Sequence, residues 1–236
     1  MEKHEVFNQA LEKNLFEGRK KEDLLSVGIT LGSNHTTFKN LYTAYFTNED
    51  VYENNPRIGA KIKVEFDRAN EKIIIKQVET ELTFNTQEFL NYLNLLALCF
   101  GDTYPLGSVV ELDELLFTEN FKKASGIKEG EHSVWVVITE RFVATEDAFD
   151  QYFVDYVATP YPYGGTKMFL NRVMIKGVVH KGLSDEAEEE YASQLREALV
   201  VSNKKSTAFL TDAELEGLFN QATIHEYDNM IEDGVN

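Results

Sequence analysis

The run KIKVEFDRANEKIIIKQVETELTFNTQEFLNYLNLLALCF, Lys61–Phe100, decides what kind of fold the chain adopts. Two β-rich segments flank the polar Asp67-Arg68-Ala69-Asn70, which predicts a hairpin. Ile62, Val64 and Phe66 alternate onto one face, while lysine and glutamate hold the other. Asn85-Thr86-Gln87-Glu88 then opens a helix: Asn85 is placed to cap it, and Glu88, three positions on, completes a capping box. The body that follows, EFLNYLNLLALCF, is apolar on nearly every side, a pattern suited to burial between layers. Gly101-Asp102 stops it. A sheet feeding straight into a buried helix predicts an α+β protein.

Upstream, HEVFNQALEKNLF sets Phe7, Leu11 and Leu15 at helical spacing and reads as an amphipathic helix. LLSVGITLG (24–32) is expected to be a strand, and LYTAYF (41–46) alternates enough to suggest another. Downstream, YPLGSVVELDELLF (104–117) leads a Pro-Gly turn into a strand, and a charged segment, 118–132, follows. SVWVVITERFV (133–143) is strongly β-prone, EDAFDQ (146–151) reads as a loop or helical turn, and YFVDYVAT (152–159) as a strand. PYPYGG (160–165) is a turn, and KMFLNRVMIKGVVHKG (167–182) gives one or two further strands. DEAEEEYASQLREALVV (185–201) is an acidic helix with a narrow stripe of Ala187, Tyr191, Leu195 and Leu199. A linker, Asn203–Ser206, precedes a last helix opened by Thr211-x-x-Glu214, with Leu215, Leu218, Phe219 and Ala222 on one face.

The expected architecture is two small curved antiparallel sheets or partial barrels, a buried central helix and acidic C-terminal helices. The chain is expected to divide into an N-terminal α+β region, 1–101, a β-rich domain with its acidic helix, 102–200, and a linker with a C-terminal helix, 201–236. A hydrophobic fraction of 43% and an aromatic fraction of 12% suit a folded chain. No apolar run reaches the roughly 18 residues that span a bilayer, and the charged N-terminus lacks a signal-peptide core. The expected location is the cytoplasm, with no membrane partner. The single cysteine, Cys99, excludes an internal disulfide and reads as a buried structural thiol.

Charge is strongly asymmetric. The formal net charge is −17; residues 1–100 carry 12 basic and 15 acidic side chains, residues 101–236 carry 11 and 25. Such a field repels phosphate backbones, so no nucleic-acid partner is expected. It serves solubility or favours a basic protein partner. Lys204 and Lys205 accordingly read as a solvated linker, and DEAEEE as a solvated first turn that suits the helix dipole.

Signatures of common enzymes are missing: there is no Walker A loop, GxGxxG, HExxH, GxSxG or EF-hand loop. The histidines, His4, His35, His132, His180 and His225, are scattered singly, so neither metal nor cofactor is expected. Asp155 and His180 would make an acid–base pair only if neighbouring strands brought them together. Asn34-His35-Thr36 matches a glycosylation sequon without a secretion signal to use it. In VDYVATPYPYGG, Val154–Gly165, the prolines and glycines supply all that a strand–turn–strand path requires. Tyr161 and Tyr163 are also the amphipathic aromatics enriched at interfaces.

Residues about 104–195 carry an ordered set of elements: Pro105-Leu-Gly-Ser-Val-Val110, Trp135-Val-Val-Ile138, Asp155-Tyr156, Tyr161-Pro-Tyr-Gly164, Phe169-Leu-Asn171, Val178-Val-His-Lys-Gly182 and the acidic helix. This order resembles domain-of-unknown-function family 4176 of Gram-positive bacteria. The segment Thr118–Glu131 is longer than in that pattern, and Phe-Leu-Asn replaces a tighter Phe-Asn. Such proteins are typically encoded beside LXG-type toxins and small helical factors of type VII secretion. The resemblance therefore implies a non-enzymatic accessory, chaperone or targeting factor for a toxin, or alternatively an immunity protein that neutralises one; an uncharacterised enzyme is the distant alternative. The partner is expected to be a toxin or secretion factor, and the candidate protein-binding residues are Asp155, Tyr156, Tyr161 and Tyr163.

Overall fold

The computed structural model describes residues 3–13, 16, 18–57, 59–117, 122, 134–145 and 151–218. Helices α1 (Lys3–Lys13), α2 (Lys21–Gly32) and α3 (His35–Phe46) precede an antiparallel sheet in chain order, β1 (Val51–Asn54), β2 (Ile62–Asp67), β3 (Lys72–Gln77) and β4 (Thr80–Asn85). The sheet runs directly into α4 (Thr86–Phe100). Both halves of the capping box form: Asn85 accepts from the Glu88 N–H at 2.8 Å, and Glu88 accepts from the Asn85 N–H at 2.9 Å. The fold is α+β.

The hairpin turns where the sequence places it, through a 3-10 turn at Arg68–Asn70, with Val64 opposite Ile75. The second β-rich segment folds back once more, because Gln77 pairs with Thr80 across Val78 and Glu79. Val78 holds φ at 54° and is 85% exposed. A β-branched residue there crowds its own backbone, and Asn tolerates this region better. Val78→Asn is expected to raise stability by about 1 kcal/mol, read as a higher urea midpoint at unchanged slope.

The two strands expected upstream are helices. Leu24, Val27, Gly28 and Leu31 are the buried residues of α2, and Thr37, Phe38, Leu41, Tyr42 and Ala44 those of α3. Both sets follow a spacing of three and four, which the apolar and aromatic content of these runs obscured. Asn34, noted as part of a sequon, caps α3 by accepting from the Thr37 N–H at 2.9 Å. A Cβ on Gly28 would collide with the Phe7 ring and the Tyr92 hydroxyl. Helix α2 therefore lies against α1 and α4 at a distance only glycine permits.

The second sheet contains β5 (Val109–Leu112), β6 (Trp135–Ala144), β7 (Tyr152–Pro160), β8 (Met168–Leu170), β9 (Ile175–His180) and the two-residue β10 (Lys205–Ser206). Its order is β10-β7-β6-β5-β9, and β8 also pairs with β7. All pairings are antiparallel except β10 with β7. Neither sheet closes into a barrel. The segment Lys205–Ser206, expected as solvated linker, is instead a buried strand. Its ammonium is accounted for by the Glu214 carboxylate at 2.8 Å.

Helix α5 (Glu186–Val201) is capped by Asp185, whose side chain accepts from the Glu188 N–H. Its inner face is rotated by one residue from the expected stripe. Ala192 and Val200 are buried, whereas Ala187 and Tyr191 are exposed. Polar anchors cause the offset: Glu188 pairs with Arg141, and Arg196 donates to the Gly101 carbonyl at 2.9 Å. Residues 212–218 are helical, and the Thr211–Glu214 box forms, with the Thr211 N–H donating to Glu214 at 2.8 Å. Phe219 and Ala222, the charged segment 118–132 except Lys122, and 146–150 lie outside the described residues.

One continuous core joins the two sheets through α4, all of whose residues from Leu93 to Phe100 are buried. The C-terminal carbonyls of α4 draw cations from three distant parts of the chain. Lys3 donates to Phe100 at 2.8 Å, Arg172 to Ala97 at 2.6 Å and Arg196 to Gly101. These groups meet the negative end of the helix dipole and its terminal carbonyls, of which Ala97 also accepts the Gly101 N–H at 3.0 Å. Cys99 sits in the same helix, and burial pushes its thiol up to about 12. At pH 8 the thiolate is scarce, so a maleimide is expected to label Cys99 only after denaturant is added; labelling at the same rate in native protein would contradict this packing.

Candidate functional site

The candidate residues divide into an inside pair and an outside pair. Asp155 and Tyr156 lie in the middle of β7 and are both 0% exposed. They do not present a surface to a partner, which corrects the expectation placed on them. The Asp155 carboxylate accepts from Arg172 Nε at 2.6 Å, from the Arg172 backbone N–H at 3.2 Å and from the Ser206 hydroxyl at 2.7 Å. Burial disfavours the Arg172 charge most strongly of any single cause, but the Asp155 carboxylate together with the Tyr156 and Tyr104 phenols outweighs it and raises the guanidinium pKa above its ordinary value.

Asn94 of α4 completes the network from the other side. Its amide donates to the Lys204 carbonyl at 3.1 Å and its oxygen accepts from the Ser206 N–H at 3.0 Å. Residues 94, 155, 172 and 206 thus lock α4, β7, the turn after β8 and β10 into one unit. Tyr156 accepts from the Tyr104 N–H at 3.1 Å, and burial pushes its phenol up to about 12. These groups are structural ties. A buried ionic pair of this kind adds little net stability over an apolar replacement, but removing one partner strands the other.

His180 does not meet Asp155. It is exposed at the end of β9, opposite Val109, and β6 and β5 stand between the two strands. The acid–base pair considered from the sequence is therefore not assembled. Among the described residues, no group of three histidine, cysteine or carboxylate side chains is placed to hold a metal ion. No helix among them is long and apolar enough to cross a membrane.

The outside pair lies on the turn that ends β7. The Tyr161 N–H donates to the Trp135 carbonyl at 2.9 Å, and the Gly164 N–H to the Pro160 carbonyl at 2.7 Å. The Tyr161–Pro162 peptide is cis, and Gly164 and Gly165 have φ of 65° and 105°, where L side chains are disfavoured. The reversal is thus tied at both ends. It presents Tyr161 at 46% and Tyr163 at 91% exposure, beside Trp135 at 39%, whose ring centroid lies 6.2 Å from that of Tyr161. Sequence reasoning did not assign Trp135 to the site. Its signal was the β6–β7 pairing, which sets Val136 opposite Pro160 and so brings residue 135 beside the turn.

Residues 125–191 match the model of a family described as a domain of unknown function (DUF4176). The match contains Trp135, β6 to β9 and the tyrosine turn, and supports the resemblance drawn from the sequence; the Pro105–Val110 opening lies outside it. No curated protein matches the chain, and no solved structure does.

Proposed function

We propose that this chain is a non-enzymatic, cytoplasmic accessory factor that binds an LXG-type toxin of a Gram-positive type VII secretion system and serves its export. The observation that carries the proposal is the placement of Tyr161 and Tyr163, exposed on a tied turn with Trp135 of β6 beside them, inside the stretch that resembles the family. Large amphipathic aromatics on a rigid base supply contact area at little conformational cost, and such residues dominate binding hot spots. The acidic field of the C-terminal half favours encounter with a basic partner surface.

The test is co-purification of the full chain with the toxin encoded beside its gene, followed by titration calorimetry. Tyr161→Ala combined with Tyr163→Ala is expected to weaken binding about tenfold or more, with the thermal midpoint unchanged. An unchanged Kd would return the turn to a purely structural role. Export and protection separate the two binding roles. An accessory factor is required for toxin secretion, whereas an immunity protein rescues cells that express the toxic domain alone.

A further inference from the structure

Between the N-terminal helices and the second sheet runs an open trough of about 790 Å³. Tyr42, Phe46 and Leu90 form one wall, with the Tyr42 and Phe46 rings stacked at 6.1 Å. Met168, Phe169 and Met174 form the other, and Leu215 and Leu218 of the C-terminal helical turn close one end. Phe169 is 60% exposed although it lines the trough, so its ring is only partly covered. It belongs to the Phe-Leu-Asn element of the family-like pattern, and Asn171 is held beside it by the Thr207 hydroxyl at 2.8 Å.

The charges at this trough run against those of the whole chain. Arg68 on the N-terminal wall donates to the Tyr45 and Glu49 carbonyls at 2.7 and 3.4 Å and lies over the Tyr45 and Phe66 rings. It has no carboxylate partner among the described residues. Lys167 on the opposite wall pairs with Glu140 where both side chains are well exposed, a contact that water already weakens. Among the described residues, Asp212 is the carboxylate that lines the trough. A protein of net charge −17 therefore presents an apolar trough with a cation on each wall.

We propose that this trough docks an amphipathic helix of the partner protein, with its apolar stripe on the Phe46 and Phe169 surfaces and a flanking carboxylate on Arg68. An amphipathic helix satisfies its own backbone amides and offers one apolar face, which suits a trough lined mostly by apolar residues. The chemistry is that of apolar anchors at helical spacing, with acidic residues at the flank rather than a basic stripe.

This rests on the toxin-binding function proposed above, and its experiment separates the two. Binding of the toxin's helical secretion region is measured by calorimetry for the wild-type chain, Phe169→Glu, Phe169→Ala, Arg68→Glu and, as an exposed apolar control, Leu183→Glu. The Phe169 and Arg68 variants are each expected to raise Kd about tenfold or more, and Leu183→Glu to leave it unchanged. Phe169→Ala covers the case in which Phe169→Glu misfolds, which circular dichroism reports. Wild-type affinity in Phe169→Ala and Arg68→Glu overturns the trough while leaving toxin binding intact. No binding by the wild-type chain overturns both.

Discussion

Asp155→Ala is expected to destabilise the protein by about 3–5 kcal/mol, the largest loss for any single carboxylate in the described chain. Asp155 accepts three hydrogen bonds at 2.6 to 3.2 Å in a site with no solvent exposure. Its removal leaves the Arg172 guanidinium charged and buried, and Arg172 Nη2 already lacks a hydrogen-bond partner. The Ser206 hydroxyl loses its acceptor as well, so β10 loses one of its ties to β7. Urea unfolding measures the change. The pair of substitutions Asp155→Leu and Arg172→Met is expected to recover most of the loss, because it removes both charges and leaves neither stranded. A cost below about 1 kcal/mol for Asp155→Ala would mean that water reaches the carboxylate and that the network does not exclude solvent.

Phe209→Ala is expected to cost about 3–5 kcal/mol, the range for emptying a buried aromatic site. Phe209 is 0% exposed and meets Tyr42 and Phe38 edge-on, at centroid distances of 5.6 and 6.3 Å. The neighbouring Ala208 carbonyl accepts from the Tyr42 hydroxyl at 2.9 Å. The segment after α5 is therefore pinned onto α3 by one ring and one hydrogen bond. In a chain of this size the loss corresponds to a fall in Tm of roughly 6–20 °C, read by calorimetry. Faster hydrogen exchange at the Ser206 amide would localise it.

Legibility from the sequence followed how local the signal was. The Asn85–Glu88 box, the Asp67–Asn70 turn and the acidic N-terminus of α5 were readable because each depends on residues within one turn of each other. Helices α2 and α3 were misread because β-branched and aromatic residues argue for strands by composition, while their three-and-four spacing argues for helices. Packing against α1 and α4 settles the contest. The site divides in the same way. The exposure of Tyr161 and Tyr163 was legible from proline and glycine spacing. The burial of Asp155 and Tyr156 was not, because it depends on Arg172, Ser206 and Asn94, which lie between 17 and 61 positions from Asp155 along the chain. Lys205 was misread for the same reason, since its strand pairs with Tyr152 across the whole of β8, β9 and α5.

The cationic end of α4 bears on how the chain is made. When residue 101 has just left the ribosome, α4 has its capping box and its apolar body but only Lys3 to meet its terminal carbonyls. Arg172 and Arg196 are synthesised 71 and 95 residues later. Until then the helix end and the face destined for the second sheet stay wet. The first hundred residues would therefore emerge as a nascent layer awaiting its cover, and β10, the last strand among the described residues, would close the assembly.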